Sequence, residues 1–217
     1  MTFRPILHWP NFRLKESSKR VVKFDQELVQ LTHDLYDTLN IAQGAGLAAP
    51  QIGVLKRVII LKCSLFEHIN DDCYEKNSDV LVLVNPELEL SGEDTWWEEQ
   101  CLSLRGITAR VARKSVATLK YHNLRGEEKC LIAKWPFSGA LQHECDHLDG
   151  VLFIDRLGRK RAQELKKKLH RVIRGELSSP KKASLKPEKK LIDTRLSHGP
   201  GKRKKGKRKK GRRKSKK

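Results

Sequence analysis

The sequence predicts an α+β fold: mainly antiparallel sheets wrapped around a central helix, with a C-terminal helix and a disordered basic tail. Three observations lead there. Val58 to Leu61, Val80 to Val84, Val116 to Tyr121 and Leu131 to Ala133 are β-branched or apolar runs, and Asn123-Leu124-Arg125-Gly126 reads as a hairpin turn between the last two. Strand and helix do not alternate in the doubly wound manner, so a parallel sheet is not indicated. The net charge is +20 over 217 residues, and +16 of it falls in residues 176–217, where 19 Lys and Arg face three Asp and Glu. What remains is an ordinary domain, residues 1–175, of about one domain length on the usual prior.

The N-terminus, MTFRPILHWP, lacks the apolar stretch of a signal peptide. No run approaches the roughly 18 apolar residues of a membrane span. Five cysteines without paired spacing argue for a reducing compartment rather than a disulfide scaffold, so the cytoplasm is the expected location and no membrane partner is expected. From Asp25 to Ala42, Leu28, Leu31, Leu35, Leu39 and Ala42 recur at three- and four-residue steps, the pattern of an amphipathic packing helix. Gly44-Ala45-Gly46 follows, where glycine permits positive φ and close backbone approach. A phosphate-cradling loop is the rival reading, but neither GxGxxG nor GxxxxGK is present. One of Trp96 and Trp97 has the character of a groove lining, but a tryptophan in a soluble domain is more often core, and both stay unassigned.

The central helix carries His143-Glu144-Cys145-Asp146-His147. At about 100° per residue, His143 and His147 lie one turn apart and aim at a common point, where two imidazoles can share a metal. Glu144 flanks the same face, close enough to act on water at the metal without being a ligand. A hydrolytic divalent metal has three protein ligands and an open position, so a third is required. In HExxHxxGxxH the last histidine would fall on Phe153, which cannot ligate. Glu164 downstream and Cys101 upstream stay open. Thiolate with two imidazoles suits iron(II), zinc, nickel or cobalt. Cys63, Cys73, Cys130 and Cys145 are read as buried, inert thiols.

Gly44-x-Gly46-x-Ala48-Ala49-x-Gln51, Glu99-Gln100-Cys101-Leu102-Ser103 and Gln142-His143-Glu144-x-x-His147, in this order, resemble the peptide deformylase family over roughly residues 5–172. Gln100 departs from the family's usual glycine. Pro10-Asn11-Phe12-Arg13-Leu14 and Asn85-Pro86 add agreement. The resemblance implies removal of the N-formyl group from the initiator methionine of nascent peptides, with release of formate. It implies one divalent metal, iron(II) in the first place, held by Cys101, His143 and His147. Glu144 is then the general base, and the Gln51 amide and Leu102 backbone N–H stabilise the developing oxyanion. Ala45, Gly46, Gln100, Pro136, Gly139 and Ala140 are expected at the substrate, and Asp146 and Arg113 behind the ligands. An HExxH metalloprotease and an RNA-binding protein are the alternative readings.

After the motif, Ala162, Leu165, Leu169, Val172 and Ile173 form an apolar stripe on a C-terminal helix with basic outer faces, ended by Gly175 and Ser178-Ser179-Pro180. Residues 176–217 are too rich in Lys, Arg, Gly, Pro and Ser to build a core. Such a charge block binds polyanions through counterion release, and ribosomal RNA is the expected partner.

Overall fold

The computed structural model describes residues 3–65 and 80–177. Cys73, the Ser178-Ser179-Pro180 cluster and nearly all of the basic tail lie outside them. Among the described residues, three α-helices and five strands follow in the order α1 (Gln26–Ala42), β1 (Gly46–Ala48), β2 (Val58–Lys62), β3 (Val80–Gln100), β4 (Thr108–His122), β5 (Glu128–Lys134), α2 (Phe137–Leu148) and α3 (Arg159–Ile173). The strands make one antiparallel sheet in sequential order, so every neighbour is also the next in sequence.

The side chain of Asp25 accepts a bond from the Leu28 N–H and starts α1, satisfying one of the donors a helix leaves unpaired. Gln43 ends it in the left-handed region at φ 54°. The residue needing positive φ is therefore Gln43, and neither Gly44 nor Gly46 adopts it. Those glycines serve close approach instead.

β2 is a continuous apolar run because both of its faces are covered. Val58 and Ile60 pack with Leu28, Leu31, Leu35 and Leu39 of α1, while Ile59 and Leu61 pack with Ala140, Leu141, Cys145 and Leu148 of α2. The motif helix is thus enclosed, and all but one of its twelve residues are buried.

β3 runs far beyond the five residues its apolar stretch suggests. Register shifts against β4 fall at Val84/Glu87 and Ser91/Asp94, next to Asn85 at φ 52° and Gly92 at φ 75°, where the backbone leaves and re-enters the extended region. The Asn85 side chain bonds both backbone groups of Val21, at 2.8 and 2.9 Å, and fixes the first shift. β4 and β5 are joined at Asn123-Leu124-Arg125-Gly126 as expected, with Gly126 at φ 78°.

Leu165 and Leu169 of α3 bury against Leu104, Ala109, Val111 and Phe153, but Ile173 is exposed and leaves the predicted stripe. Cys130 is also exposed, against expectation. Along β5, Leu131 and Ala133 face the core, so the two-residue period turns Cys130 and Ile132 outward.

Candidate active site

His143, Glu144 and His147 project from α2, and Cys101 stands where β3 gives way to a turn closed by the Leu104 N–H on the Cys101 carbonyl. One ligand atom from each of Cys101, His143 and His147 lies within 4.8 Å of the others. Glu164 is elsewhere, on exposed α3 with Arg161. Phe153, at the position of a third histidine, instead stacks on the His143 ring at 6.2 Å.

His143 is aimed by a neighbour, whereas the Nδ1 of His147 is buried without a hydrogen-bond partner. His143 Nδ1 lies 2.8 Å from Glu99 Oε2, which leaves Nε2 for the cluster. His147 Nε2 is 3.2 Å from Cys101 Sγ. Glu99 is clasped by Arg113 through Nε at 2.6 Å and a terminal nitrogen at 3.0 Å. Arg113 continues to Asp146 Oδ2 at 2.7 Å, and Asp146 also accepts from Arg156. The expected support from Arg113 and Asp146 thus runs through Glu99, a motif residue to which the sequence assigns no role. Burial works to raise the Glu99 carboxyl, but hydrogen bonds from His143 and Arg113 bring it down to about 2. It stays a carboxylate, the state that can hold His143 Nδ1–H.

Glu144 has the opposite setting. Burial raises its carboxyl to about 7, opposed only in part by His143. Its Oε2 is buried without a hydrogen-bond partner, beside the three donors. Gly46 makes this placement possible: a Cβ there would stand 2.7 Å from Glu144 Oε1 and 2.6 Å from Leu61. An unpaired buried carboxylate oxygen next to a thiolate and two imidazoles fits a divalent cation, which would also lower that raised pKa.

Gln51 sits in the turn Ala49–Ile52. Its Oε1 accepts the Ala48 N–H at 2.8 Å, so the amide nitrogen faces Ser103 Oγ at 3.2 Å and Cys101 Sγ at 3.7 Å. Gln142 locks α2 to the sheet by pairing with both backbone groups of Lys114, just past the end of the β4–β5 pairing.

A cavity of about 300 Å³ opens on the cluster. Its wall includes Gln51, Cys101, Leu102, His143 and Glu144, together with Ala45, Gly46, Gln100 and Ala140 from the expected substrate set. Pro136 and Gly139 are not on it, because Pro136 caps the start of α2 and Gly139 faces the Trp135 ring. Trp97, unassigned from sequence, is on the wall. A larger cleft of about 520 Å³ lies on the Gln142, Cys145 and Asp149 face of α2. Its charges pair with one another, as in Arg57–Asp149 at 2.6 Å and Lys114–Asp94 at 3.1 Å, and it contains none of the three donors. Cys145 on that side has its thiol pKa pushed up by burial, which makes it inert.

The fold and this donor set define a hydrolase of the HExxH class. Comparison with known proteins narrows the class. Residues 3–163 match the family model for polypeptide deformylase. A peptide deformylase from Acidobacterium capsulatum is 38% identical over 157 residues, covering 72% of this chain and 88% of its own. One from Thermodesulfovibrio yellowstonii is 36% identical, covering 77% and 97%. The crystal structure of a peptide deformylase from Legionella pneumophila superposes with a TM-score of 0.69 at 34% identity, over 82% of this chain and all of that one. The chain belongs to the polypeptide deformylase family.

Proposed function

We propose that the protein removes the N-formyl group from the initiator methionine of nascent polypeptides and releases formate, at a divalent metal held by Cys101, His143 and His147. The observation that carries this reading is the convergence of those three donors within 4.8 Å, with the unpaired Oε2 of Glu144 buried and Cys101, His143 and Glu144 on the wall of the cavity. When bound, the cation supplies the Lewis acidity that makes water a competent nucleophile near neutral pH. Glu144 takes the proton from the attacking water and returns it to the leaving amine, a task suited to a buried carboxylate whose Oε2 has no other partner. The Gln51 amide, aimed by the Ala48 N–H, donates to the oxygen on which charge develops, with the Leu102 N–H as second donor. Glu99, Arg113 and Asp146 keep His143 in the tautomer and orientation that present Nε2. Iron(II) is the proposed native metal, and zinc, nickel and cobalt fit the same donors.

The test is formate release from formyl-Met-Ala-Ser by anaerobically purified protein, with metal content measured on the same sample. Release that stops on metal removal and returns with iron(II) or nickel is the expected result. A metal-loaded protein that releases no formate but cleaves unformylated peptides would replace this reading with the protease one.

Substrates on growing chains place the protein at the ribosome, in the cytoplasm. Residues 176–217, with +16 of the chain's charge, dock there on ribosomal RNA. Co-sedimentation with ribosomes that falls steeply with salt and disappears on deletion of residues 178–217 is expected; binding that survives the deletion would remove the tail from this role. Among the described residues, no helix is long and apolar enough to cross a membrane.

A further inference from the structure

The sheet ends on β5, which pairs with β4 on one side and with no strand among the described residues on the other. β4 and β5 run in one unbroken register from Val116↔Lys134 to His122↔Glu128. Just beyond its ends, the Trp135 N–H bonds the Ser115 carbonyl at 2.9 Å and the Asn123 N–H bonds the Glu127 carbonyl at 3.0 Å, both in step with that register. Antiparallel bonds recur at every second residue. Lys129, Leu131 and Ala133 therefore exchange bonds with β4, whereas Glu128, Cys130, Ile132 and Lys134 direct their backbone groups away from it. The side chains of the same four residues point to the solvent face, where Ile132 is 51% exposed. The edge is also regular, with none of the register shifts that interrupt β3. Charges of one sign commonly close such an edge to other copies of a chain. Here they are opposite in sign and symmetric about the middle of the strand, Glu128 three residues before Leu131 and Lys134 three after it. Lys134 has no ion pair among the described residues, and Glu128 reaches only His122, at 3.8 Å.

We propose that β5 is a self-complementary edge that pairs with β5 of a second copy of this chain about a two-fold axis at Leu131. A strand related to itself by a two-fold axis meets its copy antiparallel, and every contact occurs twice. With Leu131 on the axis, Glu128 faces the second copy's Lys134 at one end, and Lys134 faces its Glu128 at the other. Cys130 and Ile132 lie opposite each other between them. The residues that bond across the axis are then the same four whose backbone groups turn away from β4. An axis at Cys130 or Ile132 would keep that parity but take Glu128 off Lys134, so the charges select the register. The cavity at the metal cluster takes no residue from β5, and both copies keep it open. One strand pair falls in the class of small interfaces, below about 1,200 Å², so the dimer forms and dissociates with concentration. This pairing is independent of the chemistry at the metal cluster.

The experiment is analytical ultracentrifugation of the full-length protein across the micromolar range, at about 0.3 M salt so that repulsion between the basic tails is screened. The mass is expected to rise with concentration toward that of two chains. Glu128→Lys and Lys134→Glu each set like charges opposite one another twice per dimer, and each should weaken association about tenfold or more. The double variant should restore it, and so should an equimolar mixture of the two single variants, in which each lysine of one chain meets a glutamate of the other. Variants that merely misfold would not complement each other in this way. Ile132→Lys should abolish association while leaving the thermal midpoint and formate release unchanged. The mass of one chain at every concentration overturns the proposal and leaves the edge to an extended segment of another protein. A dimer that survives Ile132→Lys overturns it in favour of another face. A mixture that stays monomeric beside a dimeric unsubstituted protein overturns the register at Leu131.

Discussion

Glu99 and Glu127 are both held at about 2, the first inside the site by hydrogen bonds from His143 and Arg113, the second on the exposed turn between β4 and β5 by Arg125 and Asn123. At Glu127 the hydrogen bond from Arg125 acts first, helped by Asn123, and burial contributes little. At Glu99 burial is the largest influence and works against ionisation, so Arg113 and His143 must overcome it. Equal pKa values thus arise from unequal forces. On the surface, water would solvate Glu127 almost as well as its partners do. In the interior nothing replaces Arg113, and its removal leaves the buried Glu99 and Asp146 carboxylates short of their shared cation, whereas Arg113 keeps Asp146 when Glu99 is removed. Glu144 completes the comparison as the buried carboxyl with no cationic clasp, raised to about 7 instead of lowered. Environment has divided the carboxylates into one held ionised in the interior, one raised toward neutrality and one solvated at the surface.

The sharpest way to break this division is to exchange the roles of ligand and base. His143→Ala or Cys101→Ala should lose both metal and formate release. Glu144→Ala should keep the metal, yet turnover should fall by about a hundred- to ten-thousand-fold. Metal analysis beside formate assays separates the two, and activity retained in Glu144→Ala would take the base role from it.

Gln51→Ala comes next, because its amide is aimed at the site by the Ala48 N–H and not by a charge. Loss of one oxyanion donor costs about 3 kcal/mol, a hundredfold or more in kcat. An effect confined to KM would show that Gln51 only binds substrate.

Glu99→Ala sharpens the comparison from the inside. With His143 Nδ1 released and Arg113 left with Asp146 alone, metal affinity should fall about ten- to a hundredfold. Stability should fall as well, by less than the roughly 3–5 kcal/mol of a fully uncompensated buried charge, read from denaturant unfolding. Glu99→Gln, which keeps an acceptor for Arg113, should lose less of both.

How far the sequence reached follows from the same residues. The three donors were legible because two sit at helical spacing and the third in a motif. Helix α1 and the last hairpin were legible because their periodicity and turn residues agree. Glu99 and Trp97 were not, since the strand that presents them was read as ending at Val84. Asn85-Pro86 and Ser91-Gly92-Glu93-Asp94 look like breaks, whereas the chain absorbs them as two register shifts and stays paired to Gln100. Had the strand been carried through, its two-residue period would have placed Trp97, Glu99 and Cys101 on one face. Composition hid the rest: a long exposed stretch of β3 is polar, and polar residues do not advertise a strand. The pairing of Gln142 with Lys114 joins residues 28 apart and depends on where β5 stops, which no local pattern encodes.

The smallest effect is the most direct test of the comparison itself. Glu127 has two contacts from Arg125, one from Asn123 and a longer one to Lys129, as many charged partners as Glu99. A count of bonds would rank the two equally. Exposure ranks them apart, because each partner of Glu127 regains water when the carboxylate is removed, and the turn keeps its shape through the Asn123 side chain, which accepts the backbone N–H groups of Arg125 and Glu127. Glu127→Ala should therefore leave the thermal midpoint, the metal content and formate release unchanged, beside a Glu99→Ala variant altered in all three. A drop in the midpoint for Glu127→Ala matching that of Glu99→Ala would show that the number of hydrogen bonds, and not desolvation, decides what these clusters contribute.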